Sequence, residues 1–244
     1  MKKIFIFIPA YFAEKKIVSV FERIPESVWQ KNPQFIIVND GSKDATRERI
    51  EEIKQRWGGK YVINVIDKEK NEGYAKAQKD AYVFALAEGA DIVAMLHSDG
   101  QYAPELLPEL LAPLESDQAD MVQGSRMMDH KAALKGGMPF YKFLSNVMLS
   151  TLENIVYGLK FSEYHSGYML YSRKALEVIP FLKLSQTFHF DGEMLFMGAK
   201  KGLRVKEISI PTKYDDEVSH VKPIQYGFHV LGIMVKYLLG KYDI

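Results

Sequence analysis

The sequence predicts an α/β fold in which a mainly parallel β-sheet carries helices on both faces. Strand-like apolar runs begin about thirty residues apart through the first half of the chain, which is the length of a strand–helix–strand unit. Patterns of helical period lie between these runs. Because strands that alternate with helices pair in parallel, the connecting helices are expected to cover both faces of the sheet.

Several apolar runs are predicted to be strands. They are Ile4–Ile8, Phe35–Val38, Tyr61–Ile66, Asp91–Leu96, Asp120–Gln123, Tyr168–Tyr171 and Leu203–Ile208. The first run follows two lysines and so imitates a secretion signal. Pro9 and the charge that returns at Glu14 predict a strand there instead.

Helices are predicted where apolar residues recur at helical spacing. They cover Glu14–Ile24, Asp44–Trp57, Tyr74–Glu88, Pro104–Leu114, Phe140–Tyr157, a helix from Asp191 and a C-terminal amphipathic helix within residues 216–244. Met127–Met138 is polar and contains a glycine pair, which predicts a mobile loop. We expect a single domain over residues 1–244, with a regular half at 1–124, an elaborated half at 125–215 and the C-terminal helix at 216–244.

The composition argues against several classes of protein. The formal net charge is +1 for 244 residues, whereas a nucleic-acid-binding domain carries a basic excess. The chain has no cysteine, so disulfides and thiolate metal sites are excluded. No segment offers the ~18 uncharged apolar residues that a membrane span needs, and we expect a soluble, cytoplasmic protein.

The first four predicted strands are each followed by a polar or glycine-containing segment. In chain order these segments are PAYFAEKKI, NDGSKDAT, DKEKNEGYAKA and HSDGQYAPE. In open parallel sheets, ligands bind in the crevice beyond the carboxyl ends of the strands. Four such segments at one edge therefore predict a binding site there.

The fourth segment places His97, Asp99 and Gln101 at alternate positions. In extended backbone, alternate side chains point the same way, so the three polar groups are expected to converge. Carboxylate and amide oxygens are ligands that Mg²⁺ or Mn²⁺ accepts. The alternative is a polar turn before the helix that begins at Pro104.

Common phosphate-binding and hydrolase motifs are missing from the sequence. It contains no G-x-G-x-x-G, no complete P-loop, no H-E-x-x-H and no G-x-S-x-G. If a diphosphate binds at the strand ends, a divalent cation is the expected source of neutralising charge.

An ordered set of segments resembles the family 2 glycosyltransferases. The segments are PAYFAEKKI, VNDGSKDAT, NEGYAKA, HSDGQYAPE, GSR, GGMPFYK, SEYHSGYMLYSRKAL and FDGEML. They are more closely similar to the polyprenyl-phosphate sugar transferases within that family. This resemblance covers residues 3–215 and implies an A-type glycosyltransferase fold, a nucleoside diphosphate sugar as donor, and Mg²⁺ or Mn²⁺ as cofactor.

The resemblance also assigns donor-side roles. The nucleotide-sugar-binding residues that it implies are Pro9, Ala10, Tyr11, Glu14, Asp40, Gly73, Lys76 and Asp99. Asp99 and Gln101 match the last acid and the amide of the family's metal-binding motif, D-x-D-x-Q. His97 replaces the first acid of that motif, and an imidazole ligates manganese without adding negative charge. The alternative for His97 is a hydrogen bond to the neighbouring loop.

On the acceptor side, the resemblance implies residues that contact a phosphate or the acceptor. They are Arg126, His165 and Ser166. The catalytic residues that it implies are Asp99, Glu163 and Asp191. For Arg126 the alternative is a surface ion pair, and Asp191 also fits the first turn of a helix, where acids are favoured.

These assignments predict an inverting glycosyltransferase that moves a sugar from its nucleotide donor to a polyprenyl phosphate, peripherally at the inner face of a membrane. The first alternative is a soluble or glycan hydroxyl acceptor, which needs Glu163 or Asp191 as a base, whereas a lipid phosphate is already ionised. The second alternative is a sugar-nucleotide-binding protein without turnover. Helix Phe140–Tyr157 and the C-terminal helix either rest on lipid or pack on the core of the domain.

Overall fold

The structure, a computed structural model, describes residues 1–212 and 223–242. Its strands are β1 (Ile4–Ala10), β2 (Gln34–Asn39), β3 (Ile63–Asp67), β4 (Ile92–Met95), β5 (Met121–Ser125), β6 (Met169–Ser172) and β7 (Val205–Ser209). They form one sheet in the order β3-β2-β1-β4-β6-β5-β7. β6 runs antiparallel to both of its neighbours, and the other adjacent strands are parallel. The prediction of a mainly parallel sheet is confirmed.

The helices of the described ranges lie between and after these strands. They are α1 (Ile17–Glu22), α2 (Glu26–Trp29), α3 (Thr46–Trp57), α4 (Tyr74–Ala87), α5 (Leu107–Glu115), α6 (His130–Lys135), α7 (Phe140–Tyr157), α8 (Arg173–Val178), α9 (Phe190–Lys200) and α10 (Pro223–Leu238). Short 3₁₀ turns occupy Pro104–Leu106 and Phe181–Lys183.

The central strand β1 shows why helices cover both faces. Its run IFIFIPA is apolar throughout, and alternate residues of a strand point to opposite faces of the sheet. Phe5 and Phe7 pack in one buried cluster with residues of α4, α8 and α9. Ile6 and Ile8 pack in a second cluster with residues of α1, α3 and α5. The prediction of helices on both faces is therefore confirmed.

The strand and helix bounds follow the apolar pattern closely. Each predicted strand is found within two residues of its expected ends. Helix α7 has the predicted bounds, and it ends where Gly158 adopts a left-handed conformation with φ = 62°. Helix α1 is shorter than Glu14–Ile24, because residues 14–16 form a turn before it. The short helices α2 and α8 were not predicted.

The prediction of an irregular loop over Met127–Met138 is wrong, because helix α6 lies inside it. The carboxylate of Asp129 caps this helix by accepting hydrogen bonds from two backbone N–H groups, at 2.9 and 3.0 Å. Met127, Ala133 and Met138 are buried in a small cluster with residues of α7. The mobility of this segment stays a prediction.

Two further predictions concern the C-terminal part of the chain. Within residues 1–212 and 223–242, no helix combines the length and the apolar composition of a membrane span. The C-terminal amphipathic helix is confirmed as α10. The other parts of the predicted segment at 216–222 and 243–244 lie outside the described residues.

Candidate active site

The polar segments after the first four strands meet at one edge of the sheet. Ala10, the last residue of β1, is paired with Asn39 of β2, and Asn39 is paired with Asp67 of β3. β4 lies parallel to β1 on its other side, so its carboxyl end faces the same edge. This is the edge at which open α/β sheets bind their ligands.

Asp40 connects the loop after β2 with the loop after β3. Its carboxylate accepts hydrogen bonds from the backbone N–H groups of Glu72 (3.0 Å) and Gly73 (2.9 Å), and it is buried. Gly73 has φ = 98°, a conformation that favours glycine, directly before helix α4. The structure therefore brings two predicted nucleotide-binding residues together, and their contact with a nucleotide stays a prediction.

Tyr11 and Glu14 lie in the loop after β1. The Glu14 carboxylate accepts a hydrogen bond from the backbone N–H of Ala45 at 2.9 Å, which ties this loop to the segment before α3. The Tyr11 ring is 40% exposed and packs edge-to-face with the ring of the next residue. Pro9 and Ala10 are the last two residues of β1. Among these predicted residues, Tyr11 has an exposed aromatic ring, and its contact with a nucleobase stays a prediction.

Lys76 belongs to a chain of ion pairs that begins in helix α4. It pairs with Asp80 one turn later, and Asp80 is 2.9 Å from the Nζ atom of Lys68. Lys68 Nζ in turn lies 3.4 Å from the Asp40 carboxylate. Because 41% of the Lys76 side chain is exposed, its ammonium group stays accessible from solvent.

The segment after β4 is a turn and not the extended chain that the alternation predicted. β4 ends at Met95, and Asp99 Oδ1 accepts a hydrogen bond from the backbone N–H of Gln101 at 3.0 Å. Gly100 between them has φ = 72°. This local hydrogen bond competes with extended backbone, so the alternate spacing of His97, Asp99 and Gln101 does not align their side chains. The segment therefore forms a turn, and its binding of a cation stays a prediction.

His97 is held by two contacts to its Nε2 atom. The carbonyl oxygen of Gly167 lies 3.2 Å away and the hydroxyl of Tyr74 lies 3.3 Å away. A carbonyl oxygen only accepts, so Nε2 carries a proton and Nδ1 keeps its lone pair in the neutral ring. Burial lowers the pKa of His97, although the negative charge of Asp99 acts in the opposite direction. The lowered pKa favours the neutral ring. The ring therefore bonds the neighbouring loop and still has a nitrogen that is able to ligate a cation.

The acidic groups do not form a complete metal cage. Among residues 1–212 and 223–242, no three His, Cys, Asp or Glu side chains are arranged to hold a metal ion. Asp99 supplies one carboxylate, and it is close enough to His97 for its negative charge to raise the pKa of that imidazole. A Mg²⁺ or Mn²⁺ ion here would take most of its ligands from a diphosphate and from water, and its binding to Asp99 and His97 stays a prediction.

Glu163 holds Arg126 at the carboxyl end of β5. Its carboxylate accepts hydrogen bonds from the Arg126 backbone N–H (2.6 Å) and Nη2 (3.1 Å), and from Asn146 Nδ2 of α7 (2.9 Å). Arg126 Nη2 also donates to the carbonyl oxygen of His165 at 2.7 Å. Glu163 is completely buried, whereas 15% of the Arg126 side chain is exposed. A surface ion pair is therefore the wrong description of Arg126, and the contacts of Glu163 favour a positioning role over proton transfer.

Asp191 is a buried acid in the first turn of α9. Tyr74, the first residue of α4, donates a 2.7 Å hydrogen bond to its Oδ2 atom and also contacts His97. Burial raises the pKa of Asp191 to about 7, although the hydrogen bond from Tyr74 and the nearby Gln78 amide act in the opposite direction. A carboxyl group with such a pKa is suited to proton transfer at neutral pH. The sequence reasoning missed Tyr74, whose one signal is its place directly after the loop glycine.

Ser166 and His165 are buried residues of the segment before β6. The Ser166 hydroxyl donates to the carbonyl oxygen of Gly124 in β5, which does not support its predicted contact with an acceptor. His165 belongs to a buried polar cluster that also contains Glu153, His189 and Tyr226. The sequence reasoning missed these other three members, because nothing local in the sequence indicates that they meet.

Known proteins are similar in sequence to this chain over most of its length. The pattern of the family described as Glycosyl transferase family 2 matches residues 5–179. The UDP-N-acetylglucosamine–dolichyl-phosphate N-acetylglucosaminyltransferase of Methanococcus voltae is 29% identical over 250 residues, which cover 98% of this chain and 98% of that protein. The undecaprenyl-phosphate mannosyltransferase of Micrococcus luteus is 24% identical over 204 residues, which cover 83% of this chain and 80% of that protein.

The fold matches that of a solved glycosyltransferase. The crystal structure of glucosyl-3-phosphoglycerate synthase from Mycobacterium tuberculosis, in complex with Mn²⁺, uridine diphosphate and phosphoglyceric acid, has a TM-score of 0.65 at 18% identity. The similarity covers 100% of this chain and 79% of that one. The predicted A-type glycosyltransferase fold is thus confirmed. Because the family pattern also matches most of the sequence, the chain belongs to glycosyl transferase family 2.

Proposed function

We propose that this chain transfers a sugar from a nucleoside diphosphate sugar to the phosphate of a polyprenyl lipid, peripherally at a membrane surface and with Mg²⁺ or Mn²⁺ at the diphosphate. The relatives from Methanococcus voltae and Micrococcus luteus are named for transfer to dolichyl and undecaprenyl phosphate, and the first of them matches nearly the whole chain. Their names support a lipid phosphate as the class of acceptor. They leave the sugar and the nucleobase open.

The observation that carries the choice of a lipid acceptor is an exposed apolar surface on helices α7 and α10, which pack against each other. We call it the apolar surface. Its members are Phe140, Tyr141, Leu144, Met148, Leu152 and Ile155 of α7 and Ile224, Phe228, Leu231, Val235 and Leu238 of α10. Exposed apolar residues in such number mark a contact with a protein or a membrane. The opposite sides of these helices pack on the core, as one of the two sequence alternatives expects, and the contact of their exposed sides with lipid is part of the proposal.

The charges of these helices favour a membrane over a protein partner. The one acidic residue of α7 is Glu153, which is completely buried, and α10 has none. Lys142 and Lys236 are the basic residues of the two helices. Apolar side chains with lysines and without exposed acids match the interface of an anionic bilayer.

The same two helices contact the residues around Arg126. Asn146 of α7 donates to Glu163, which holds the Arg126 guanidinium. Tyr226 of α10 contacts His165, whose carbonyl oxygen accepts from Arg126. A lipid anchored at the apolar surface therefore has its phosphate close to the segment that carries Arg126. A partly exposed guanidinium binds a phosphate through paired hydrogen bonds.

The chemistry of the proposed reaction is a single displacement at the anomeric carbon. A phosphate oxygen of the lipid forms the new bond, the bond from that carbon to the diphosphate breaks, and the nucleoside diphosphate leaves. The lipid phosphate is already ionised and needs no general base. Asp99 with His97 would hold the divalent cation, which when bound would supply positive charge to the departing diphosphate. Arg126 orients the acceptor, and Tyr11 offers its ring to the base.

Asp191 is the specific observation that favours a second candidate, transfer to a hydroxyl acceptor. A hydroxyl must lose its proton during the attack, and a buried carboxyl group with a pKa of about 7 is suited to accept it. Tyr74 holds this carboxyl group close to His97. For this candidate the donor site is the same, and only the acceptor differs.

Vesicles that contain either a polyprenyl phosphate or the matching polyprenol distinguish the two candidates. The purified protein is incubated with Mn²⁺ and a panel of labelled UDP- and GDP-sugars, and the label that enters the organic phase is counted. We expect labelled lipid from the phosphate vesicles and none from the alcohol vesicles. Transfer to the alcohol would support the hydroxyl acceptor, and the absence of label from both kinds of vesicle would contradict transfer to a lipid.

A further inference from the structure

A largely buried polar cluster joins four separate segments of the chain, and none of its side chains has a chemical role in the reaction described above. Glu153 lies in α7, His165 in the segment before β6, His189 directly before α9, and Tyr226 in α10. Glu153 and His189 are completely buried, and little of the His165 side chain is exposed. We call these four residues the polar ring.

The contacts between these four side chains form a closed ring. The Nε2 atom of His189 lies 2.8 Å from Glu153 Oε1, and the Nε2 atom of His165 lies 3.3 Å from Glu153 Oε2. The Tyr226 hydroxyl lies 2.8 Å from His165 Nδ1 and 3.0 Å from His189 Nδ1. Four side chains thus make four contacts, and each imidazole uses both of its nitrogens.

The burial of Glu153 indicates the charge state of this ring. A completely buried carboxylate is unfavourable unless a positive charge lies beside it, and the imidazoles of His165 and His189 are both within ion-pair distance of it. The Tyr226 hydroxyl and two neutral imidazoles carry three protons. A fourth proton, on one of the imidazoles, makes the ring neutral overall.

The surroundings indicate which imidazole carries the fourth proton. His165 lies next to the Arg126 guanidinium, and burial, together with His189 and Arg126, lowers the pKa of His165 to about 4 against the charge of Glu153. His189 makes the shorter contact with Glu153 and lies two residues from Asp191. The consistent arrangement has a protonated His189 that forms an ion pair with Glu153 and donates from Nδ1 to the Tyr226 oxygen. Tyr226 then donates to Nδ1 of a neutral His165, whose Nε2 carries the proton.

Other titratable and charged groups surround the polar ring on the elements that pack against it. They are Arg126 after β5, Glu163 and Tyr164 beside His165, Tyr157 in α7 and Asp191 in α9. The positive charge of Arg126 disfavours a charge on His165. Glu163 is already the counter-ion of Arg126, which leaves Glu153 as the carboxylate for the imidazolium.

We propose that the polar ring contains a Glu153–His189 ion pair and that Tyr226, through His165, positions the Arg126 guanidinium. The Tyr226 hydroxyl fixes the His165 side chain, and the His165 carbonyl oxygen accepts the 2.7 Å hydrogen bond from Arg126 Nη2. Helix α10, which carries part of the apolar surface, is thereby linked to the group that faces the acceptor. The link to the acceptor rests on the proposed function, whereas the charge state of the ring does not.

Nuclear magnetic resonance of histidine-labelled protein tests the charge state without any substrate. Near neutral pH we expect His189 to have two protonated nitrogens and His165 to have a proton on Nε2 alone. Removing the carboxylate in Glu153→Gln is expected to abolish the imidazolium signature of His189. A wild-type His189 that is neutral near pH 7 would overturn the ion pair, whether or not the variant folds.

The positioning role is tested by Tyr226→Phe, with Tyr237→Phe as the matched control on the same helix. We expect Tyr226→Phe to accelerate hydrogen exchange of the Arg126 guanidinium and to raise KM for polyprenyl phosphate about tenfold, with KM for the donor unchanged. Tyr237→Phe is expected to leave both quantities as in the wild type. Unchanged Arg126 exchange in a folded Tyr226→Phe protein would overturn the positioning role, even if the proposed acceptor proves wrong. If Tyr226→Phe alters the exchange of Arg126 but leaves the kinetics unchanged, the positioning role stands and the proposed contact between Arg126 and the acceptor is wrong.

Discussion

Replacing Asp191 by asparagine is expected to stabilise the protein at neutral and alkaline pH. The Asp191 carboxyl group is 5% exposed, and Tyr74 donates a hydrogen bond to it at 2.7 Å. Burial raises its pKa from the ordinary 3.8 to about 7, because the ionised form is poorly solvated there. Asparagine keeps an oxygen that accepts from Tyr74 and has no charge to bury.

The expected size of the effect follows from the two pKa values of Asp191. In the unfolded chain the carboxyl group ionises above about pH 4, whereas in the folded protein it stays protonated until about pH 7. Between these values the folded state binds the additional proton, so stability falls as pH rises. Above about pH 7 both states are ionised, and the full destabilisation of about 4 kcal/mol is present. The asparagine variant lacks this loss.

Urea unfolding of both proteins, followed by tryptophan fluorescence, measures the difference. At about pH 4 the two free energies of unfolding are expected to be similar, and at about pH 8 the variant is expected to be more stable by up to about 4 kcal/mol. A difference that does not change with pH would refute the assignment of a raised pKa to Asp191. In the same variant, transfer to a lipid phosphate is expected to persist and transfer to a hydroxyl acceptor to be lost.

The other predictions concern the donor site, the sheet, the apolar surface and helix α6. Asp99→Ala is expected to abolish transfer and to leave the melting temperature unchanged, and near-normal turnover would remove Asp99 from the metal site. The Arg204 guanidinium holds the pKa of Asp120 well below its ordinary value. Asp120→Asn is therefore expected to lower the free energy of unfolding by about 1–2 kcal/mol at neutral pH, and by progressively less as pH falls below about 4. Urea unfolding measures this difference. Ile155→Glu is expected to weaken sedimentation with anionic vesicles, whereas the exposed Val83→Glu on α4 is not; equal loss in both would refute the membrane surface. Hydrogen exchange of Met127–Met138 is expected to slow when donor and Mn²⁺ are saturating, and unchanged exchange would exclude closure by the donor.

The sequence predicts much of this fold because strands and amphipathic helices are local patterns. The run IFIFIPA is apolar on both faces, which is enough to identify a central strand with helices on each side. The segments after the strands were likewise predictable, since parallel strands place their carboxyl ends at one edge. Helix α6 was missed because Ala133 is its one buried residue, which leaves no apolar pattern of helical spacing.

The details of the site depend on pairs that no local pattern contains. Tyr74 and Asp191 are separated by 117 residues, yet their side chains form one hydrogen bond. Arg126 and Glu163 meet because β5 lies next to the segment before β6. At Asp99 a local hydrogen bond changes an expected extended segment into a turn. Side-chain partners of this kind follow from tertiary packing and cannot be obtained from spacing along the chain.

The products of the reaction test the central proposal most directly. The purified protein is incubated with polyprenyl phosphate vesicles, Mn²⁺ and the sugar nucleotide that labels the lipid, and both the lipid product and the released nucleotide are identified by mass spectrometry. Transfer of the sugar alone predicts a lipid glycoside that retains one phosphate, together with a nucleoside diphosphate. A lipid diphosphate together with a nucleoside monophosphate would show transfer of a sugar phosphate and would contradict the proposal, as would the absence of any lipid product with every donor.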